Sequence, residues 1–173
     1  RQSFDGIPHA GYYTQQEMRG LVEYARVRNV TIVPEIEMPG HATAAIAAYP
    51  ELGCLYHPID VSPTWGIHAN LFNAEETTIT FLQDVLREVV DVFPSYYIHI
   101  GGDEAVKAQW RSSVACQRRI KELGLQNEAE LQSYMIRRMD EFLTGLGRRL
   151  VGWDEILDGG LAKNAVVMSW RGA

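Results

Sequence analysis

The sequence predicts an α/β fold with parallel strands. Three observations lead there. Long segments with apolar residues at helical spacing alternate with short β-branched runs. The runs are apolar almost throughout, as in strands buried on both faces. Each run also ends in polar or aromatic residues. The chain has 173 residues, 46% of them hydrophobic. That is enough for one domain with a sizeable core, and it argues against disorder.

The elements follow in order. Thr14 to Asn29 reads as a helix: Thr14 and Glu17 form a capping box, and Met18, Leu21, Val22 and Ala25 share a face. Residues 30–37, Val-Thr-Ile-Val-Pro-Glu-Ile-Glu, read as a buried strand bounded by Asn29 and by Pro39-Gly40, with Pro34 as a weak point for lack of an N–H. Residues 50–76 read as a long loop, a type that is usually functional in a compact domain. Thr78 to Phe93 is a second helix, with Leu82, Val85, Leu86 and Val89 inward. Residues 96–100 form a second strand, followed directly by Gly101-Gly102-Asp103-Glu104. Asn127 to Leu146 is a third helix, with Asn127 and Glu130 as a cap pair. Residues 149–153 and 165–170 complete the strands.

Helices alternating with buried strands imply right-handed βαβ units. In an α/β barrel the site forms at the C-terminal ends of the strands. Here those ends carry Glu37 and His41, Asp103 and Glu104, Trp153 and Asp154, and Trp170. A (β/α)8 barrel needs about 250 residues, so residues 1–173 are expected to hold about half of one. The N-terminus has neither an initiator Met nor a signal-peptide pattern, so the chain is expected to be a mature form or a piece of something longer.

Composition narrows the partners. Sixteen basic and twenty-two acidic residues give a net charge of -6, without a Lys/Arg run, so nucleic acid is not an expected partner. No apolar stretch approaches the roughly 18–20 residues that span a bilayer. Cys54 and Cys116 could pair in an exported protein or sit as buried thiols. Neither lies in a CxxC, and the histidines have no metal-ligand spacing, so no metal or cofactor is expected.

The stretch from His99 to Glu104 carries the most chemistry. Two glycines allow a tight turn and close approach of a ligand. Adjacent carboxylates point to opposite faces of a regular strand. At a turn both can reach one cavity, where repulsion and burial raise the proton affinity of one. A carboxyl so raised can act as a general acid. The plainer alternative is a helix N-terminus, where acidic residues are common. His41, after a strand ending in Glu37, could be tuned by one carboxylate and tune another, or be a structural histidine. Trp153 and Trp170 could line a pocket or fill the core. Trp65 and Trp110 read as cover for the core.

Taken together these segments resemble glycoside hydrolase family 20, the β-N-acetylhexosaminidases. The carrying residues are Pro34-Glu35-Ile36-Glu37-Met38-Pro39-Gly40-His41, His99-Ile100-Gly101-Gly102-Asp103-Glu104, Gly152-Trp153-Asp154-Glu155 and Met168-Ser169-Trp170. The resemblance covers nearly the whole chain. It implies a TIM barrel in which these segments are strands three to six. It also implies removal of terminal β-linked N-acetylglucosamine or N-acetylgalactosamine with retention, through an oxazolinium intermediate in which the substrate's own acetamide is the nucleophile.

By position, Glu104 resembles the general acid and Asp103 the residue that holds the acetamide N–H. His41 with Glu37 resembles the relay that tunes Glu104; the family more often has Asp where this chain has Glu37. Trp153 and Trp170 resemble walls of the sugar pocket, and His99 a supporting histidine. Asp154 and Glu155 belong to the motif without an assigned role. The resemblance places a sugar-binding Arg and Asp on strands one and two, and a Tyr and acidic residues on the last two strands, outside this chain. The isolated chain is therefore expected to lack full activity. Implied partners are oligosaccharides or glycoconjugates ending in β-N-acetylhexosamine, and the implied location is periplasmic or secreted. Two other readings stand beside this one: a non-catalytic carbohydrate-binding barrel fragment, and a glycosidase using two protein carboxylates.

Overall fold

A computed structural model describes residues 10–172. The order of elements is helix α1 (Gln15–Arg26), α2 (Thr43–Ala48), a 3-10 turn (Pro50–Leu52), α3 (Glu76–Val92), strand β1 (Tyr97–His99), α4 (Ala108–Ser112), α5 (Val114–Glu122), α6 (Glu128–Gly145), β2 (Arg149–Trp153), a 3-10 turn (Asp154–Leu157) and β3 (Val166–Met168). The strands form one parallel sheet in the order β1-β2-β3. Ile98 lies opposite Leu150, and Trp153 opposite Met168.

The expected strand at residues 30–37 is present only as an extended segment. It runs parallel to β1 through a single bridge, Glu35 to His99. Ile36 N–H donates to His99 O at 2.9 Å, His99 N–H to Pro34 O at 2.9 Å, and Met38 N–H to Ile100 O at 3.0 Å. Pro34 has no N–H with which to make the next rung back toward Tyr97, so the ladder stops there. Four extended segments thus lie side by side in chain order, and all four end on the same side of the molecule.

The helices start where their caps require. Glu17 N–H donates to Thr14 Oγ1 at 3.2 Å, and Thr14 N–H donates to the Glu17 carboxylate at 2.7 Å. Asn127 Oδ1 accepts from Glu130 N–H at 3.0 Å at the head of α6. The core lies between sheet and helices. Ile98, Ile100 and Leu150 from the sheet, Ile79 and Leu86 from α3, and Leu131 and Leu143 from α6 are all wholly buried. Each such side chain contributes about 1.5–3 kcal/mol on burial.

The long loop is tied down by one amide. Asn73 is fully buried, donates to Glu51 O at 2.8 Å and Gly53 O at 3.0 Å, and accepts from Thr78 Oγ1 at 2.7 Å. The tryptophans of uncertain place divide: Trp110 is core, donating to Phe72 O at 2.8 Å, whereas Trp65 is fully exposed and covers nothing. Cys54 and Cys116 are both buried free thiols joined by a hydrogen bond, with sulfurs 3.9 Å apart, well beyond a disulfide's ~2.05 Å. The hydrogen bond between them pushes the Cys54 thiol up and lowers Cys116 to about 7. No helix among the described residues is long and apolar enough to cross a membrane.

Candidate active site

After β1 the chain turns sharply. Gly101 has φ 66° and Gly102 φ 98°, and Glu104 itself sits at φ 49°. This left-handed backbone breaks the alternation of a strand, so neighbouring carboxylates can face the same way. Asp103 and Glu104 accordingly line one cleft of about 350 Å³, together with Glu35, Glu37, Trp153 and Trp170. The carboxylates come from the first two extended segments and the indoles from the next two.

His41 lies beside this group, also left-handed at φ 51°. Its Nε2 is 3.3 Å from Glu104 Oε2 and 3.5 Å from Asp103 Oδ2. Among the described residues no hydrogen bond or ion pair joins His41 to Glu37 directly. The two instead meet through Asp103, which faces both. The Glu37 side chain rests against Gly101 instead, where a Cβ would lie 1.8 Å from Glu37 Oε2.

Burial, then the charges of Asp103 and Glu35, push the Glu37 carboxyl up to about 8. This has a consequence for stability. The folded chain binds the Glu37 proton more tightly than the unfolded chain, so folded stability is fully expressed below about pH 4.5 and declines as pH rises toward about 8. Glu37→Gln removes that titration. Thermal melts at about pH 5 and about pH 8 are expected to show the parent losing more melting temperature than E37Q across this window. Equal losses would show that Glu37 titrates normally.

His99 lies beneath the cleft, 4% exposed, with its ring 4.8 Å from that of Trp153. Burial holds its pKa below the usual imidazole range, opposed by the carboxylates of Glu35 and Asp103. Gly101 N–H donates to its Nδ1 at 3.0 Å, consistent with a neutral ring. The residue that sequence reasoning passed over is Glu35. Its Oε1 accepts from Trp153 Nε1 at 2.8 Å and lies 3.1 Å from His99 Nδ1. The signal was present: Glu35 and Glu37 are two residues apart on an extended segment and so share a face.

Four carboxylates around one cleft, with a single imidazole, favour a ligand that develops positive charge. A carboxyl here can also hand a proton to a bound atom and take it back. The two indoles offer apolar faces. Among the described residues, His41, Asp103 and Glu104 bring ligand-type atoms within 4.8 Å of one another, which is where a cation could be held. Those are the same atoms that acid–base chemistry would use.

The family model described as "Glycosyl hydrolase family 20, catalytic domain" matches residues 1–173. A beta-hexosaminidase of Porphyromonas gingivalis is 47% identical over 173 residues, which are 99% of this chain and 22% of that protein. The solved chitobiase of Flavobacterium johnsoniae superposes with a TM-score of 0.85 at 39% identity, over 93% of this chain and 25% of that one. The solved exo-β-N-acetylglucosaminidase of Vibrio harveyi, in complex with N-acetylglucosamine, gives 0.81 at 36% identity, over 94% and 26%. The chain thus spans about a quarter of the length of these relatives.

Proposed function

The chain belongs to glycosyl hydrolase family 20, and from that membership and the cleft we propose that the whole protein removes terminal β-linked N-acetylglucosamine or N-acetylgalactosamine from oligosaccharides or glycoconjugates. Residues 1–173 are then part of its catalytic barrel. Residues 34–38, β1, β2 and β3 are its strands three to six, a reading supported by their side-by-side order and shared direction. The observation that carries the proposal is the turn at Gly101-Gly102, after which Asp103 and Glu104 line one cleft with two indoles.

The reaction runs with retention and without a protein nucleophile. The substrate's acetamido oxygen attacks the anomeric carbon as the glycosidic bond breaks, and Glu104 gives its proton to the departing oxygen. The oxazolinium ion that forms is cationic. Asp103 accepts the acetamide N–H, orients the oxygen for attack and stabilises that charge in a cleft rich in carboxylates. Glu104, now ionised, takes a proton from water as the water opens the ring from the opposite face. His41 is in reach of both acids and holds them in register. Trp153 and Trp170 pack on the sugar and the acetamido methyl.

The test uses the full-length protein. It is expected to hydrolyse a nitrophenyl β-N-acetylglucosaminide, to be inhibited competitively by a thiazoline mimic of the oxazolinium, and to leave the matching β-glucoside intact. Cleavage of the glucoside at a similar rate would overturn the acetamide's role and favour two protein carboxylates. Binding of the sugar without turnover would favour a carbohydrate-binding module.

A further inference from the structure

Asp154 and Glu155 follow β2 and take no part in the reaction above. Glu155 is 9% exposed, and a carboxylate so enclosed requires hydrogen-bond partners. It finds one in the next strand's tip: Trp170 Nε1 donates to Glu155 Oε2 at 2.9 Å. Asp154 grips the same dipeptide from the other side. Its Oδ1 accepts from Trp170 N–H at 3.1 Å, and its Oδ2 from Arg171 Nε at 2.6 Å. Arg171 Nε also lies 3.8 Å from Glu155 Oε1.

Trp170 needs such a hold. Its ring is 49% exposed and lines the cleft, so packing alone leaves its torsions weakly determined. A charge-assisted hydrogen bond to the indole N–H restrains them. The opposite wall uses the same device, since Trp153 Nε1 donates to Glu35. In both walls the indole N–H is tied to a carboxylate from an earlier segment, leaving the ring's apolar surface for a ligand. Glu155 itself is not among the residues lining that cleft.

We infer that Glu155 is a positioning residue, acting through Trp170 to fix the wall of the sugar pocket. The effect on turnover rests on the glycosidase reading; the hold on the ring does not. In the full-length protein, Glu155→Ala is expected to lower kcat/KM on a nitrophenyl β-N-acetylglucosaminide by about tenfold, mainly through KM. Trp170→Phe keeps an aromatic ring without an N–H and is expected to do the same. The double variant is expected to match either single variant rather than their product. Glu155→Gln still offers a carbonyl to the indole and is expected to recover activity to within about threefold of the parent.

A second readout needs no turnover. In protein labelled with 5-fluorotryptophan, the fluorine resonance of Trp170, assigned by its loss in W170F, is expected to shift in E155A and to hold its place in E155Q. Independent, multiplying losses in the double variant, or an unmoved resonance in E155A, would overturn the inference. Should E155A fail to fold, parental KM in W170F would do so instead. An inactive parent with a shifted resonance would sink the glycosidase reading alone.

Discussion

Replacing Glu104 with glutamine is expected to lower kcat on a substrate with a poor leaving group, such as an N-acetylglucosamine disaccharide, by about a thousandfold. Affinity for a thiazoline mimic is expected to stay within a few-fold of the parent. The amide matches the carboxylate in shape, so the left-handed turn at position 104 and the approach of His41 persist. What is lost is a transferable proton. A leaving group that departs readily as an anion does not need that proton, so release of dinitrophenol in the first step is expected to suffer far less. Steady-state rates on the two substrates, with inhibitor binding by calorimetry, check this. Equal losses on both would assign Glu104 a role in binding rather than in proton transfer.

Gly101→Ala is expected to destabilise the chain and to disturb the cleft at the same time. At φ 66° any other L-residue is strained by about 1 kcal/mol. The new methyl would also lie 1.8 Å from Glu37 Oε2. Overpacking of this kind costs about 1–3 kcal/mol, so a total loss near 2–4 kcal/mol is expected. Gly101 cannot simply move away, because its N–H binds His99 and its carbonyl accepts from Trp153 N–H at 2.8 Å. Denaturant unfolding of G101A measures the loss. Pairing it with Glu37→Asp shortens the obstructing side chain and is expected to restore part of the stability. No recovery would leave backbone strain as the whole cause.

Much of this molecule is legible in its sequence, for reasons that differ by element. The helices α1 and α6 begin where Thr14–Glu17 and Asn127–Glu130 say they must, because a cap is a local interaction. Strand β2 is found at its expected limits, since both its faces are buried and its run is apolar. Helices α4 and α5 were not expected. Their buried positions, Trp110, Cys116 and Ile120, are interrupted at Ser113, which ends one short helix and caps the next, so neither shows a long enough period.

The candidate site divides in the same way. Glu37, Asp103, Glu104, Trp153 and Trp170 stand out because each closes an apolar run, and the fold gathers all five into one cleft. The links from Glu35 to Trp153 and from Glu155 to Trp170 are invisible in one dimension. They depend on which strands become neighbours and in what register.

The sheet separates two kinds of residue along each strand. Ile98, Ile100, Leu150 and Val151 pack the interior, and a few positions later the chain presents its polar and aromatic side chains. Natural variation can therefore redraw what the cleft accepts while leaving the framework intact, and the freedom to diversify is concentrated at the rim. At Gly101 that freedom narrows, because scaffold and rim meet there with no room for a side chain beside Glu37.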